Sequence, residues 1–143
     1  MDFLQAIKEK YTADNFPRSL GIELLELAPG YARVAMTLKE SMVNFHGIGH
    51  GGAIFTLADT ALGLASNSKG VQAVALTVTI NYLTPARAGM RLIATAQEEH
   101  LTRRTGVYRI TVNSSGGEAI ALVRGTVYRQ PRAQAPEAQY TSL

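Results

Sequence analysis

Between Gly51 and Ser68 the chain carries a single ionisable side chain, Asp59, in the run Ala-Ile-Phe-Thr-Leu-Ala-Asp-Thr-Ala-Leu-Gly-Leu-Ala-Ser-Asn. A helix apolar on nearly every side is normally buried, and a buried carboxylate costs several kcal/mol unless it is paired or hydrogen-bonded. No basic residue stands one turn away, at positions 55, 56, 62 or 63, to offset that cost. A carboxylate kept in such surroundings suits general-base or nucleophilic work better than a surface or ion-pair role.

Just upstream lies a glycine-rich turn with two histidines, Asn44-Phe-His-Gly-Ile-Gly-His-Gly-Gly. Glycines at 47, 49, 51 and 52 let a ligand come close to the main chain. The helix begins there, so its first amides lack intrahelical acceptors and its dipole is positive at that end. The Gly51 amide is therefore placed to stabilise a carbonyl oxyanion, and removing one such donor can cost roughly 3–4 kcal/mol of barrier. A tight turn into a helix would use the same glycines.

Gly51 and Asp59 stand eight residues apart, about 12 Å along a helix axis. One substrate carbonyl cannot easily touch both on the same helix. If both act on one bond, the second must come from a neighbouring subunit, so a site shared across a dimer interface is expected. His46 and His50 are four apart, a metal-binding spacing on a helix, but Gly47 and Gly49 disfavour a helix and the chain has no cysteine. No metal site is expected. A Gly-x-Ser-x-Gly elbow is absent, which leaves a carboxylate and a helix N-terminus as the chemical constellation.

The elements that must position these groups follow from periodicity. Phe3, Leu4, Ile7 and Tyr11 recur at helical spacing, predicting a short amphipathic helix over Asp2–Thr12 that Asn15-Phe16-Pro17 breaks, with a turn or single helical coil at Arg18–Gly21. Ile22–Ala28 and Tyr31–Leu38, joined through Pro29-Gly30, read as a strand hairpin. The central helix is expected from about Gly52 to Asn67. Val71–Leu83 reads as a long strand with no charge before Arg87; so apolar a run suggests a strand covered on both faces in the middle of a sheet. Met90–Leu101, Thr105–Val112 and Ala119–Arg129 complete the strands. An antiparallel sheet curved around one long helix, an α+β layer architecture, satisfies this order.

A chain of 143 residues fits one domain, here residues 1–130, with residues 131–143, rich in Pro, Ala and Gln, expected to form a mobile tail. No cysteine is present, which excludes disulfides and zinc–cysteine sites. No apolar run reaches the ~20 residues of a membrane span, and the first ten residues lack signal-peptide features; a cytoplasmic soluble domain is expected. The net charge of +3 hides an arginine-rich stretch from Thr60 to Arg132, where Lys69, Arg87, Arg91, Arg103, Arg104, Arg109, Arg124, Arg129 and Arg132 face only Glu98, Glu99 and Glu118. Arginine suits phosphate, although a solvated strand surface explains the same excess. No nucleic-acid-binding motif is present.

Taken together, Asn44, His50-Gly51-Gly52, Phe55, Leu57-Ala58-Asp59 and Asn67-Ser68-Lys69-Gly70 resemble the hotdog-fold acyl-CoA thioesterases, nearest to the PaaI-like group of phenylacetate degradation. Thr79-Ile80-Asn81-Tyr82-Leu83-Thr84-Pro85 and Thr105-Gly106-Val107-Tyr108 agree, so the likeness runs from about Leu20 to Arg129. It implies a hotdog fold, a homodimer as the minimal active unit and a homotetramer, and hydrolysis of (hydroxy)phenylacetyl-CoA or related aryl and acyl thioesters. By position it makes Asp59 the general base or nucleophile, Gly51 the oxyanion amide, and Asn44 and His50 the groups that hold the thioester. Ala75, Thr77 and Thr79 are expected on one strand face; Ala75 stands where some relatives carry serine, so Thr77 is the candidate for holding the water. Tyr82, Arg87, His100 and Arg104 fall on segments that contact coenzyme A in relatives. The coenzyme is then part of the substrate, and no separate cofactor is implied. Thr84 departs from the arginine many members carry before the proline. A hotdog hydratase or dehydratase and a non-catalytic acyl-CoA-binding module stay open as alternatives.

Overall fold

The computed structural model describes residues 2–130, and the tail expected over 131–143 lies outside the described residues. The chain opens with α1 (Phe3–Tyr11), capped by the Asp2 carboxylate, which accepts from the Leu4 and Gln5 amides at 3.0 and 3.3 Å. Asn15-Phe16-Pro17 does not merely break this helix. It starts a second short one, α2 (Asn15–Ser19), because proline is tolerated in a first helical turn, where its missing N–H leaves no bond unmade.

The predicted hairpin forms as β1 (Glu23–Ala28) and β2 (Tyr31–Thr37). A 3-10 turn at Glu40–Met42 leads through the glycine-rich loop to α3 (Gly51–Ser66). The remaining strands are β3 (Gln72–Tyr82), β4 (Arg91–Leu101), β5 (Thr105–Ser114) and β6 (Ala119–Gln130). All six strands pair antiparallel in one sheet of order β1-β2-β4-β5-β6-β3.

The core lies between α3 and the inner face of the sheet. Ile54, Leu57, Ala58, Ala61, Leu62 and Ala65, at helical spacing, are buried against Val34, Met36, Leu92, Ile110, Val123 and Val127. Fully burying a leucine such as Leu57 or Leu62 contributes about 1.5–3 kcal/mol. Gly125 lets the helix approach the sheet: a Cβ there would lie 2.6 Å from Leu62 Cδ2.

Two expectations are corrected here. First, α3 is not buried all round. Its outer face carries Gly52, Asp59 and Gly63 exposed, with Phe55, Thr56 and Thr60 half-buried. These residues escape the periodicity reading because small and weakly polar side chains look apolar without needing burial.

Second, β3 is not a central strand but an edge strand, among the described residues hydrogen-bonded to β6 alone. Val74, Leu76, Tyr82 and Leu83 are exposed there, at 49, 60, 51 and 54 %. The composition was that of a covered strand, and among the described residues the cover is missing. An exposed apolar edge is a surface prepared for pairing.

Candidate active site

The loop before α3 is built around Asn44. Its side-chain Oδ1 accepts from the His46 and Ile48 amides at 2.9 and 3.3 Å, while its own backbone amide donates to the Ile48 carbonyl at 2.8 Å. The Gly47 amide donates to the Asn44 carbonyl at 2.9 Å, and Gly47 takes φ +81°, a left-handed conformation that glycine adopts without strain. Asn44 therefore spends its carbonyl oxygen on the loop and keeps its NH2 for other partners.

The loop delivers His50 as the N-cap of α3. His50 Nδ1 accepts from the Gly52 amide at 3.3 Å, so the neutral ring carries its proton on Nε2. Gly51, the first residue of the helix, has an amide with no intrahelical acceptor. Its carbonyl is held from the other side: the Tyr82 hydroxyl, at the end of β3, donates to it at 2.8 Å. A Cβ on Gly51 would sit 2.9 Å from that hydroxyl. The resemblance marked Tyr82 as a coenzyme contact. The structure shows an internal role for it as well, since it anchors the start of α3.

Asp59 lies two turns further along, on the face of α3 turned away from the sheet. Among the described residues its carboxylate has no hydrogen-bond or ion-pair partner. It opens to a cleft of about 1250 Å³ between α3 on one side and α1 with α2 on the other. Partial burial pushes its carboxyl above the ordinary value, with desolvation the sole cause. The carboxylate is thus accessible and more basic than usual, as a general base at neutral pH requires. Periodicity marked the apolar stripe of α1 but not its partner, so the cleft that Phe3, Ile7 and Tyr11 line together with Asp59 was not foreseen.

The other candidates do not converge within one chain. A bulge between Ala75 and Thr77 breaks the alternation of β3. Ala75 pairs with Val127, which is buried under α3, whereas Thr77 and Thr79 pair with Thr126 and Arg124. The expected single face of Ala75, Thr77 and Thr79 is therefore split, and Thr77 turns away from α3 because the extra residue reverses the side-chain phase. Arg87 is exposed in the loop after β3, near the Tyr82 end of the sheet. His100 is exposed close to the end of β4, and Arg104 donates to the Tyr128 hydroxyl at 2.7 Å. The eleven residues of β4 separate these two pairs, roughly 35 Å at about 3.4 Å per residue.

Part of the arginine excess has internal partners. Arg91 pairs with Glu23 at 2.8 Å, Arg124 with Glu99 at 3.0 Å, and Arg129 donates to the Thr102 carbonyl at 2.8 Å. The motif after α3 is structural too. The Asn67 side chain accepts from the Ala73 amide at 2.9 Å and donates to its carbonyl at 3.1 Å, joining the helix end to β3. Ser68 Oγ accepts from the Gly30 amide at 2.8 Å and donates to the Ala65 carbonyl at 2.7 Å. Among the described residues no three His, Cys, Asp or Glu side chains are grouped as metal ligands would be, and no helix is long and apolar enough to cross a membrane.

An antiparallel six-stranded sheet wrapped on one helix defines a hotdog domain. The chain belongs to the thioesterase superfamily, whose family model matches residues 46–121. Within it the likeness is to the PaaI type: it is 43% identical over 119 residues to acyl-coenzyme A thioesterase PaaI of Escherichia coli K12, covering 83% of this chain and 85% of that protein. The solved structure of the E. coli PaaI protein from the phenylacetic acid degradation operon superposes with a TM-score of 0.88 at 40% identity, over 90% of this chain and 94% of that one. A mutant of the phenylacetic acid degradation protein PaaI from Thermus thermophilus matches with a TM-score of 0.78 at 45% identity, over 81% of this chain and 99% of that one. This chain is accordingly a thioester hydrolase of the PaaI-like group.

Proposed function

We propose that the protein hydrolyses (hydroxy)phenylacetyl-CoA or related aryl and acyl-CoA thioesters to the free acid and CoA, in a site shared by two copies of the chain. The observation that carries this reading is the accessible Asp59 carboxylate, without a partner among the described residues and made more basic by its surroundings, in a chain of this family. The thioester carbonyl lies between Asp59 and the Gly51 amide of a second copy. Asp59 takes a proton from water as the oxygen attacks the carbonyl carbon. The amide, reinforced by the positive end of α3, stabilises the oxyanion that forms. Collapse of the tetrahedral adduct breaks the carbon–sulfur bond, and the CoA thiolate leaves to take up a proton.

Two features support the second copy. Gly51 and Asp59 are eight residues apart on α3, about 12 Å, too far for one carbonyl. The apolar edge of β3 is uncovered, and strand pairing with a second β3 would cover it. The Asn44 NH2, His50 and the Gly51 amide then come to the substrate from one copy and Asp59 from the other. Arg87, Tyr82, His100 and Arg104 are the groups proposed for the coenzyme, the two ends of the sheet being supplied by different copies. Thr77, on the outer face, is the weakest of the proposed site residues.

The deciding experiment is thiol release from a panel of aryl and alkyl acyl-CoAs by the wild type and Asp59→Asn. Release by the wild type, lost in the variant, is the expected result. Equal rates for the two would remove Asp59 from the chemistry and leave acyl-CoA binding without hydrolysis as the better reading.

A further inference from the structure

Helix α1 presents an apolar stripe that the fold buries only in part: Ile7 and Tyr11 are half-buried and pack against the edge of the core. None of its residues is buried, and the Phe3 side chain keeps 41 % exposure. The helix is nonetheless held in a defined place. The Tyr11 hydroxyl donates to the Ile22 carbonyl at 3.0 Å. The Phe3 ring lies on Gly70, where an added Cβ would come within 2.6 Å of it. The stripe faces the cleft that contains Asp59, with Phe55 and Leu64 of α3 across from Phe3, Ile7 and Tyr11. The family model begins at residue 46, so α1 lies outside what that model describes.

We infer that α1 forms one wall of the acyl chamber, on the same subunit as Asp59, and that Phe3 and Ile7 decide which acyl groups are accepted. The inference rests on the proposed thioester hydrolysis and goes beyond it. A carbonyl attacked by water held on Asp59 carries its acyl group with it, and that group needs apolar space continuous with Asp59. The cleft provides it, reaching along α3 from Asp59 to Asn67 and Gly70, about 12 Å of helix. Its volume of about 1250 Å³ exceeds the roughly 300–1,000 Å³ that takes an ordinary small ligand. Each methylene buried there is worth about fourfold in binding, so the position of the α1 wall sets selectivity.

The absence of cysteine allows a direct test. Ile7→Cys, in an Asp59→Asn background that preserves the thioester, places a unique thiol on the wall. Decanoyl-CoA and phenylacetyl-CoA are expected to slow its alkylation by iodoacetamide at least tenfold, and CoA alone less than twofold. Equal protection by CoA, protection by none of the three, or a thiol already unreactive because a second copy covers the cleft would each overturn the inference. Ile7→Trp in the otherwise unaltered chain is expected to lower kcat/KM for decanoyl-CoA at least tenfold while acetyl-CoA stays within twofold. A uniform fall across both would mark a merely structural role and overturn it as well. The wild type assayed in parallel separates the two readings. Thiol release without acyl-dependent protection removes the chamber and keeps the hydrolase, whereas no release from any thioester removes both.

Discussion

The Tyr82 hydroxyl and the Gly51 carbonyl are joined by a 2.8 Å hydrogen bond that ties the last residue of β3 to the first residue of α3. The contact anchors the first residue of α3 to the sheet without occupying the Gly51 amide. Tyr82 is half-exposed and its hydroxyl is pushed above the ordinary value by burial, so it remains a proton donor across the physiological range.

Tyr82→Phe removes one hydrogen bond, worth about 1 kcal/mol. The expected outcome is a kcat lower by about fivefold, because the bond that anchors the start of α3 is lost. Gly51→Ala should be more damaging, since the new Cβ meets the Tyr82 hydroxyl at 2.9 Å. Steady-state thiol release on both variants checks the order.

Asp59→Asn keeps the shape of the side chain and removes its basicity. A fall in kcat of about 10²–10⁴-fold is expected, with circular dichroism unchanged. A residual rate within a factor of three of the wild type would exclude Asp59 as base or nucleophile.

The raised Asp59 carboxyl has two consequences for pH dependence. The acid limb of kcat/KM should fall at a pH above the ordinary aspartate range, since the base must be ionised. Stability moves the other way. The folded state holds the proton more tightly than the unfolded one, so the Asp59 contribution is most favourable when protonated and declines as pH rises from the unfolded value through the raised folded one. Asp59→Asn should therefore have a higher Tm than the wild type at pH 7, a difference that shrinks toward pH 3. Thermal melts across that range measure it.

Asn44 has two separable duties. Asn44→Asp retains the oxygen that accepts from His46 and Ile48 and loses the NH2. It should keep the Tm within a few degrees yet lower activity at least tenfold. Asn44→Ala loses both loop bonds and should lower Tm and activity together. Equal activity of Asn44→Asp and wild type would confine Asn44 to the loop.

Leu76 sits in the β3 bulge, 60 % exposed in the single chain. A charge there costs an isolated chain little, but it would disrupt strand pairing between copies. Leu76→Lys is expected to shift the sedimentation coefficient to that of the monomer and to abolish thiol release. A monomeric variant with full activity would show that one chain suffices.

Local sequence signals placed most elements to within a residue or two. The hairpin through Pro29-Gly30, α3 over Gly51–Ser66 and the last three strands all follow from periodicity and turn residues. The candidate site was equally legible where it is contiguous: Asn44, His50, Gly51 and Asp59 sit on one loop and helix whose chemistry is visible in the residue types alone. The resemblance to thioesterases rested on the same stretch, and the family match covers most of it. The edge position of β3 was misread because an apolar strand has the same composition whether its own chain or a second copy covers it.

By itself, the chain of residues determined that a lone carboxylate follows a glycine-rich helix start, since charge and backbone freedom are properties of each residue. Only the tertiary structure decided which way those groups face. The outer stripe of α3, the bulge that turns Thr77 from Ala75, the Tyr82–Gly51 bond and the cleft between α1 and α3 all depend on contacts between distant segments. Such contacts are set by which surfaces exclude water together and where an extra residue shifts strand register, and no short window of sequence contains them.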